Sequence, residues 1–410
     1  MQKERGMQKK VGVVGGCGHV GLPLAVALAP HHRVFVYDVD SKAVARVQRG
    51  EVPFRDDGLE EGLARALELG LQIKASPEDL PECDYIVVVV GTPVDEHLNP
   101  SFTGIDQVLG QLEEVFRKGQ TLVLRSTLYP GTSERVHNYF KKKGLPLEVA
   151  FCPERVAEGQ AFREIRTLPQ IISGFSPQAV AAARALFEPL GVEIVEVSPL
   201  EAELAKLFTN VYRYINFSVA NQFFMLASEA NADFFRILQA MKHNYPRAAA
   251  MPSPGLTAGP CLFKDTMQLA SFYRNQFGLG FQAMLVNEGL PQFIVDRLDT
   301  TYPLGEMTVG LLGMAFKAES DDPRFSLSYK LKKILAIRAK AVLTSDPYVK
   351  KDSALLPLEE VIRRSDILIL CAPHRVYRNL NLGHKIIVDI WNFWERGSLF
   401  TRDCASAGSA

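Results

Sequence analysis

The stretch Val11–Leu28, VGVVGGCGHVGLPLAVAL, decides how the rest of the chain is read. A short apolar run with the character of a buried strand meets a cluster of glycines, and an apolar helix opens directly behind it. In Gly16-Cys17-Gly18-His19-Val20-Gly21, Gly16 permits the tight turn and Gly18 lets the backbone approach a pyrophosphate. Gly21 allows helix and strand to pack closely. The helix N-terminus then offers N–H groups and the positive end of its dipole to phosphates. The next strand ends at Asp38, placed to accept hydrogen bonds from a ribose diol. A carboxylate there repels a 2′-phosphate, so the expected dinucleotide is NAD rather than NADP. The alternative is a glycine-rich structural turn, with Cys17 and His19 as spacers.

Outward from this motif, β-branched runs alternate with helical stretches, the pattern of a parallel sheet covered by helices. Expected strands are Val11–Gly15, Val34–Asp38, Tyr85–Val90, Thr121–Arg125, Gln170–Ser173 and Glu193–Val197, with a strand-like VAFC before Pro153. Leu22–Leu28, Asp106–Arg117 and Pro177–Pro189 read as helices. Val90-Gly91-Thr92-Pro93 and Arg125-Ser126-Thr127 each end a strand, where such sheets line a ligand crevice. Ser-Thr at a strand end is also an ordinary cap.

From Leu200 to about Met241 there is neither proline nor glycine, and Leu204, Leu207, Val211, Ile215 and Val219 recur at helical spacing. One continuous helix of that length would span roughly 60 Å, more than one small domain covers, so it is expected to pack on a second copy of the chain. A Pro/Gly-rich segment, Pro246 to Pro260, and further helix follow. Alternation then resumes with Thr308–Leu312, Ala341–Thr344, Ile367–Cys371 and Lys385–Asp389, and the tail after Gly397 is expected to fray. The chain therefore reads as two α/β halves joined by a helical middle.

Composition agrees. The 410 residues include 46 Lys+Arg and 46 Asp+Glu, and 47% are apolar, as in a globular protein of two or three domains. Zero net charge gives no electrostatic attraction to nucleic acid or an acidic membrane, and neither is an expected partner. No apolar run is long enough to span a bilayer, and the opening MQKERGMQKK is polar, so no signal segment is expected. Six scattered cysteines without a CxxC pair suit reduced thiols in a cytoplasm, with no metal site.

Three constellations carry candidate chemistry. Pro153-Glu154-Arg155-Val156-Ala157-Glu158-Gly159 follows the VAFC run; Lys206 and Asn210 lie one helical turn apart; and Cys261 follows a glycine-permissive loop, with Lys264 and Asp265 just beyond. Each has an ordinary explanation: Lys206 paired with Glu203, Asn210 facing solvent, Cys261 packed away. Beside a dinucleotide motif they suggest more. A thiolate adds to an aldehyde, and hydride loss from the adduct leaves a thioester that water must hydrolyse.

The ordered motifs resemble the UDP-glucose/GDP-mannose dehydrogenase family of nucleotide-sugar 6-dehydrogenases. The matching segments are Gly16 to Pro23, Gly91-Thr92-Pro93, RSTLYPGT from Arg125, PERVAEG, EAELAKLFTN, GPCLFKD and FKAESDDPRFS from Phe316. Ala258, Pro260 and Phe263 depart from the commonest family pattern without removing a chemical group. The resemblance implies two Rossmann-like parallel-sheet domains joined by a long central helix and a helical dimerisation domain. Residues 7–198 would bind NAD, 199–300 would form the dimer, and 301–398 would bind the UDP-sugar.

It implies a four-electron oxidation of a C6 alcohol to a carboxylate, with two NAD reduced. Cys261 would be the nucleophile, Lys206 and Asn210 would stabilise the oxyanion, Asp265 and Thr127 would position water, and Glu154 would be the acid/base. Around NAD would stand Gly16, Gly18, His19, Val20, Gly21, Asp38, Gly91, Thr92, Pro93, Ser126, Thr127, Glu158, Lys264 and Arg324. Around the sugar nucleotide would stand Glu154, Arg155, Val156, Glu158, Lys206, Asn210, Gly255, Gly259, Phe316 and Lys317, with Arg247 reaching the substrate of the partner subunit. Surface pairing of Lys317 and Arg324 with Asp321 and Asp322 is the alternative. PERV points to the branch acting on UDP-N-acetylhexosamines, first UDP-N-acetylmannosamine, then UDP-N-acetylglucosamine; UDP-glucose and GDP-mannose stay open. A two-electron hydroxyacid dehydrogenase and a non-catalytic nucleotide-sugar binder are the readings from other classes.

Overall fold

The computed structural model describes residues 8–395, apart from 96, 98, 146 and 258, together with the backbone of 400–402. Ala258 and Cys404 therefore lie outside the described residues. Contacts divide the chain into two compact units: one runs through Thr209 and includes Met267–Phe272, and the other holds Asn210–Thr266 and the chain from Tyr273.

Eight strands form the sheet of the first unit: β1 Lys10–Val14, β2 Arg33–Tyr37, β3 Gln72–Lys74, β4 Tyr85–Val88, β5 Thr121–Leu124, β6 Glu148–Phe151, β7 Gln170–Gly174 and β8 Ile194–Glu196. Their order is β3-β2-β1-β4-β5-β6-β7-β8. Val11 pairs with Val34 on one side and Tyr85 on the other, both parallel. Strand order reverses at β1 and β4, which opens a crevice at their carboxyl ends. Val11, Val13, Ile86 and Val87 are fully buried, as strands covered on both faces must be. The sheet is not wholly parallel as expected: β7 runs antiparallel to β6. The link between them, residues 152–169, carries only the short Ala161–Glu164 helix, and the chain returns antiparallel rather than through a parallel crossover.

The helix expected to run to Met241 ends sooner. It spans Pro199–Glu229, 31 residues, and a separate helix occupies Phe234–Lys242. Glu201 reaches back at its start, where the Ser198 N–H and hydroxyl both donate to the Glu201 carboxylate. At its end Asn231 adopts a left-handed φ of 54° and Ala232 N–H returns to Ala227 O. Asp233 then caps the next helix through Phe235 and Arg236 N–H. Asparagine and aspartate make the break, in a stretch that holds neither proline nor glycine. The Asp106–Arg117 helix likewise sits earlier, at Thr103–Leu112.

The second unit contains β9 Thr308–Leu312, β10 Ala341–Ser345, β11 Ile367–Leu370, β12 Ile386–Val388 and β13 Phe400–Arg402, in the order β10-β9-β11-β12-β13. Four are parallel, again Rossmann-like; Val309, Leu311, Ile367, Ile369 and Val388 are fully buried under helices Gly278–Thr301 and Leu327–Arg338. Residues 400–402, expected to fray, instead pair antiparallel with β12, whose outer edge would otherwise expose unpaired backbone groups. Among the described residues no helix is long and apolar enough to cross a membrane.

Candidate active site

In the first unit, Gly15 and Gly16 N–H both donate to Tyr37 O at 2.9 and 3.1 Å, tying the glycine turn to the end of β2. The left-handed residue of the turn is Gly15, φ +74°, rather than Gly16. A side chain on Gly15 would meet Val89 O at 1.8 Å, and one on Gly21 would meet Gly15 O at 2.4 Å. Only glycine permits so close an approach of strand, turn and helix. Above Gly18, by contrast, a Cβ would have only Gly15 O near it, at 3.8 Å, so the loop presents open space there. Asp38 Oδ2 accepts Cys17 N–H at 3.0 Å and Oδ1 accepts Asp40 N–H at 3.0 Å. A carboxylate offers about four acceptor positions, so two remain for a diol. Bare backbone above Gly18, a helix N-terminus and a free-edged acid form a cradle that fits NAD. His19 packs its ring on Phe54, centroids 4.1 Å apart, and burial pushes the Cys17 thiol up to about 12.

The ends of β4, β5 and β6 are stitched together. Ser126 Oγ accepts Val90 N–H at 2.7 Å, and Thr92 Oγ1 donates to Thr127 O at 2.6 Å. Gln268 Nε2 donates to Thr92 O at 3.2 Å. Arg125 is completely buried, with its guanidinium 4.8 Å from the centre of the Phe187 ring. It donates to Glu154 Oε2, to Gln170 Oε1 at 3.0 Å and to Cys152 O at 3.1 Å. Glu154 Oε1 accepts Arg155 N–H at 2.7 Å and Val156 N–H at 3.0 Å. Three donors therefore aim the carboxylate, leaving one acceptor position on Oε2. Arg155 also donates to Pro169 O, and Glu158 sits half-buried just beyond.

Lys206 is buried, at 8% exposure, and Glu203, one turn before it, is engaged elsewhere. Glu203 accepts Gly131 N–H at 2.6 Å and Ser133 N–H at 2.8 Å, while burial pushes its carboxyl up. Among the described residues no carboxylate or carbonyl binds Lys206. Its stem is buried, while Nζ is not among the buried atoms left without a partner, so the ammonium end keeps water contact that a ligand oxygen can replace.

In the second unit, Asn210 is buried and donates through Nδ2 to Asp265 Oδ2 at 2.6 Å. Asp265 is fully buried, and its Oδ1 lies 3.0 Å from Lys264 Nζ as an ion pair. Asp265 stands in the first turn of the Leu262–Phe272 helix, with its N–H on Cys261 O at 2.9 Å. Cys261 precedes that helix, where the dipole favours a thiolate. Of the cysteines among the described residues it alone is exposed; burial pushes Cys152 and Cys371 up to about 12.

The loop leading to Cys261 is anchored by residues that sequence reasoning missed. Asn221 Oδ1 accepts Gly255 N–H at 2.9 Å while its Nδ2 donates to Gly255 O at 3.2 Å and to Asn287 Oδ1 at 2.9 Å. A side chain on Gly255 would strike the Trp391 ring at 2.1 Å, and one on Gly259, φ +107°, would strike Phe316 at 2.4 Å. Lys317 Nζ lies 5.9 Å from the centre of the Phe316 ring. Arg324 makes the local pairing that was its alternative, with Nε on both oxygens of Asp322 at 2.9 and 2.8 Å and Nη2 on one at 2.6 Å. Arg247 is exposed and reaches Tyr245 Oη at 3.3 Å. Gly91, Thr92 and Pro93 follow β4 and are exposed or half-buried.

Comparison with known proteins decides the family. The NAD binding domain of the UDP-glucose/GDP-mannose dehydrogenase family matches residues 9–191, its central domain 200–288 and its UDP binding domain 310–396. The chain belongs to this family. It is a nucleotide-sugar dehydrogenase with NAD as its cofactor. The dehydrogenase is 29% identical to a UDP-N-acetyl-D-mannosamine dehydrogenase of Pyrococcus horikoshii over 397 residues, 91% of this chain and 93% of the relative. The solved structure of UDP-D-ManNAc dehydrogenase from Pyrococcus horikoshii superposes with a TM-score of 0.87 at 28% identity, covering 95% of this chain and 97% of that one. A UDP-glucose dehydrogenase from the hyperthermophilic archaeon Pyrobaculum islandicum gives 0.88 at 26% identity, covering 96% and 97%.

Proposed function

We propose that this dehydrogenase oxidises the C6 hydroxyl of a UDP-sugar through four electrons to the uronic acid, by way of a cysteine thioester. The carrying observation is the one exposed cysteine among the described residues, placed ahead of the helix that bears buried Asp265. NAD, when bound, accepts a hydride at each of the two oxidations. The Cys261 thiolate adds to the C6 aldehyde, and loss of hydride from that adduct leaves a thioester. Water then breaks the C–S bond, giving carboxylate and thiol. Lys206, mostly buried and bound by no carboxylate or carbonyl among the described residues, offers its charge to the developing oxyanion, and Asn210 adds a hydrogen bond. Asp265 and Thr127 orient the water, and Glu154 takes its proton at the remaining Oε2 position. The loops around Gly18, Val20, Gly91, Pro93, Ser126 and Glu158, with Lys264 and Arg324, serve the cofactor; Arg155, Val156, Gly255, Gly259, Phe316, Lys317 and Arg247 serve the substrate.

UDP-N-acetylmannosamine is the favoured sugar, supported by the PERV segment at Pro153–Val156 and by the name of the Pyrococcus horikoshii relative. The likeness to the Pyrobaculum islandicum enzyme keeps UDP-glucose as the second reading. A cytoplasmic homodimer making a polysaccharide precursor completes the proposal. Tyr212, Val219, Phe223 and Leu226 support the dimer, since they expose apolar side chains along the long helix at helical spacing. The test is a count of NADH per sugar across a panel of UDP- and GDP-sugars. Two per uronate supports the thioester route, and one per carbonyl product defeats it.

A further inference from the structure

One buried side chain of the second unit takes no part in the chemistry above, yet it holds the segment that carries Phe316 and Lys317. His374 follows β11 and is completely buried, as is the side chain of Asp346 at the end of β10. His374 Nε2 lies 3.2 Å from Asp346 Oδ2, and Nδ1 lies 3.0 Å from Glu319 N, which donates to it. Asp346 is already an acceptor on every side: Met314 and Ala315 N–H reach Oδ2 at 2.6 and 2.9 Å, and Tyr348 and Val349 N–H reach Oδ1 at 2.8 and 2.9 Å. Only an imidazole protonated on Nε2 and bare on Nδ1 satisfies both neighbours, so the network assigns the tautomer.

The consequence falls on the loop after β9. Its start is pinned by Asp346 at Met314 and Ala315, and its far side is pinned by His374 at Glu319. Phe316 and Lys317 lie between the two pins, and Phe316 N–H closes the loop on Asp322 O at 2.9 Å. Glu319 holds a left-handed φ of 57°, which a residue with a side chain keeps only where its surroundings enforce it. The hold is reciprocal: Glu319 Oε1 accepts Arg375 N–H at 2.8 Å, directly after His374. The imidazole is itself held edge-on by Tyr348 and Tyr377, with ring centres 4.9 and 5.5 Å away.

We infer that His374 is a positioning residue for nucleotide-sugar recognition: as a neutral Nε2–H tautomer it ties Glu319 to Asp346 and sets the loop that presents Phe316 and Lys317 to the UDP moiety. This rests on the UDP-sugar reading of the second unit. The two nitrogens make the idea separable by substitution. In His374→Asn the amide oxygen takes the acceptor place of Nδ1; in His374→Gln the amide nitrogen keeps the donor place of Nε2 and the acceptor is lost.

The experiment measures UDP binding by calorimetry, and KM and kcat for the UDP-sugar, on the full-length chain. His374→Asn is expected to keep UDP affinity within about threefold of the parent, and His374→Gln to lose roughly tenfold, the effect of one buried hydrogen bond. KM rises in parallel, while kcat at saturation and NAD affinity stay unchanged. Equal losses in both variants, or none in either, would overturn the inference. A parent protein that does not bind UDP would instead sink the substrate reading, and the inference with it. Should both variants fail to fold, amide exchange of Glu319 in the parent decides. Strong protection that UDP deepens supports the tie, and exchange at the rate of an open loop refutes it.

Discussion

Asn210 Nδ2 and Asp265 Oδ2 meet at 2.6 Å although 55 residues of chain separate them. The bond joins the long helix to the helix that follows Cys261, and it fixes a fully buried carboxylate that also pairs with Lys264. The proposed water-positioning role draws on Asp265 Oδ1, which faces Lys264 as an ion pair but accepts no hydrogen bond among the described residues. Asp265→Asn is expected to slow thioester hydrolysis by about 10²- to 10⁴-fold while the first oxidation persists. A burst of NADH followed by an acyl-enzyme seen by intact mass would show this; a uniformly slow first turnover would contradict it.

Cysteine reactivity gives a second check. Native protein treated briefly with iodoacetamide should carry label on Cys261 and leave Cys17, Cys83, Cys152 and Cys371 unmodified, because those four are buried. For Cys17, Cys152 and Cys371 burial also pushes the thiol up to about 12, so little thiolate forms at neutral pH. Cys261→Ser should bind NAD normally and make no uronate. Peptide mapping that finds Cys152 labelled as fast as Cys261 would count against the assignment.

Arg125 tests the support of Glu154. Arg125→Ala strands a buried carboxylate and empties the space beside Phe187. Removing one partner of a buried pair costs about 3–5 kcal/mol. Calorimetry should show a clear fall in the melting temperature of the first unit, and a change below one degree would refute the pairing's importance.

Asp346 predicts an acid limit. Burial, the largest single effect, disfavours its charge, but His374 and the Val349 and Tyr348 N–H groups outweigh it and hold the carboxyl below its ordinary 3.8. A depressed folded value means stabilisation present above 3.8 and lost as pH falls through the lower folded value. Asp346→Asn should therefore be less stable than the parent at neutral pH, with the gap closing as pH falls below 3.8. Melting curves over that range check the sign, and a constant gap would argue against it.

The exposed stripe on the long helix bears on assembly. On the proposed homodimer the parent should sediment as a dimer, and a monomeric parent would refute the dimer. Phe223→Asp, at a residue 43% exposed, should sediment as a monomer without a lower melting temperature of either unit. An unchanged dimer would place the interface elsewhere.

Much of the fold was legible because its signals are local. The glycine turn of Gly15–Gly21, the apolar strands and the Cys261–Asp265 spacing act through neighbours in sequence, where steric limits and periodicity leave a visible trace. The helix break at Asn231 was less visible: asparagine reaches a left-handed conformation without glycine's obvious mark. The antiparallel β7 left no mark at all, since a buried strand has the same composition in either direction.

What the sequence by itself determined is the chemistry available: a dinucleotide cradle, a thiol ahead of a helix, a lysine and an asparagine one turn apart. Tertiary structure alone decided which groups are aimed and by what. Arg125 on Glu154 spans 29 residues, Asn221 on Gly255 spans 34 and His374 on Glu319 spans 55. Such bonds form between buried groups that must find partners once water is gone, and the partner is whichever donor the packing brings near. No period or composition along the chain records that choice.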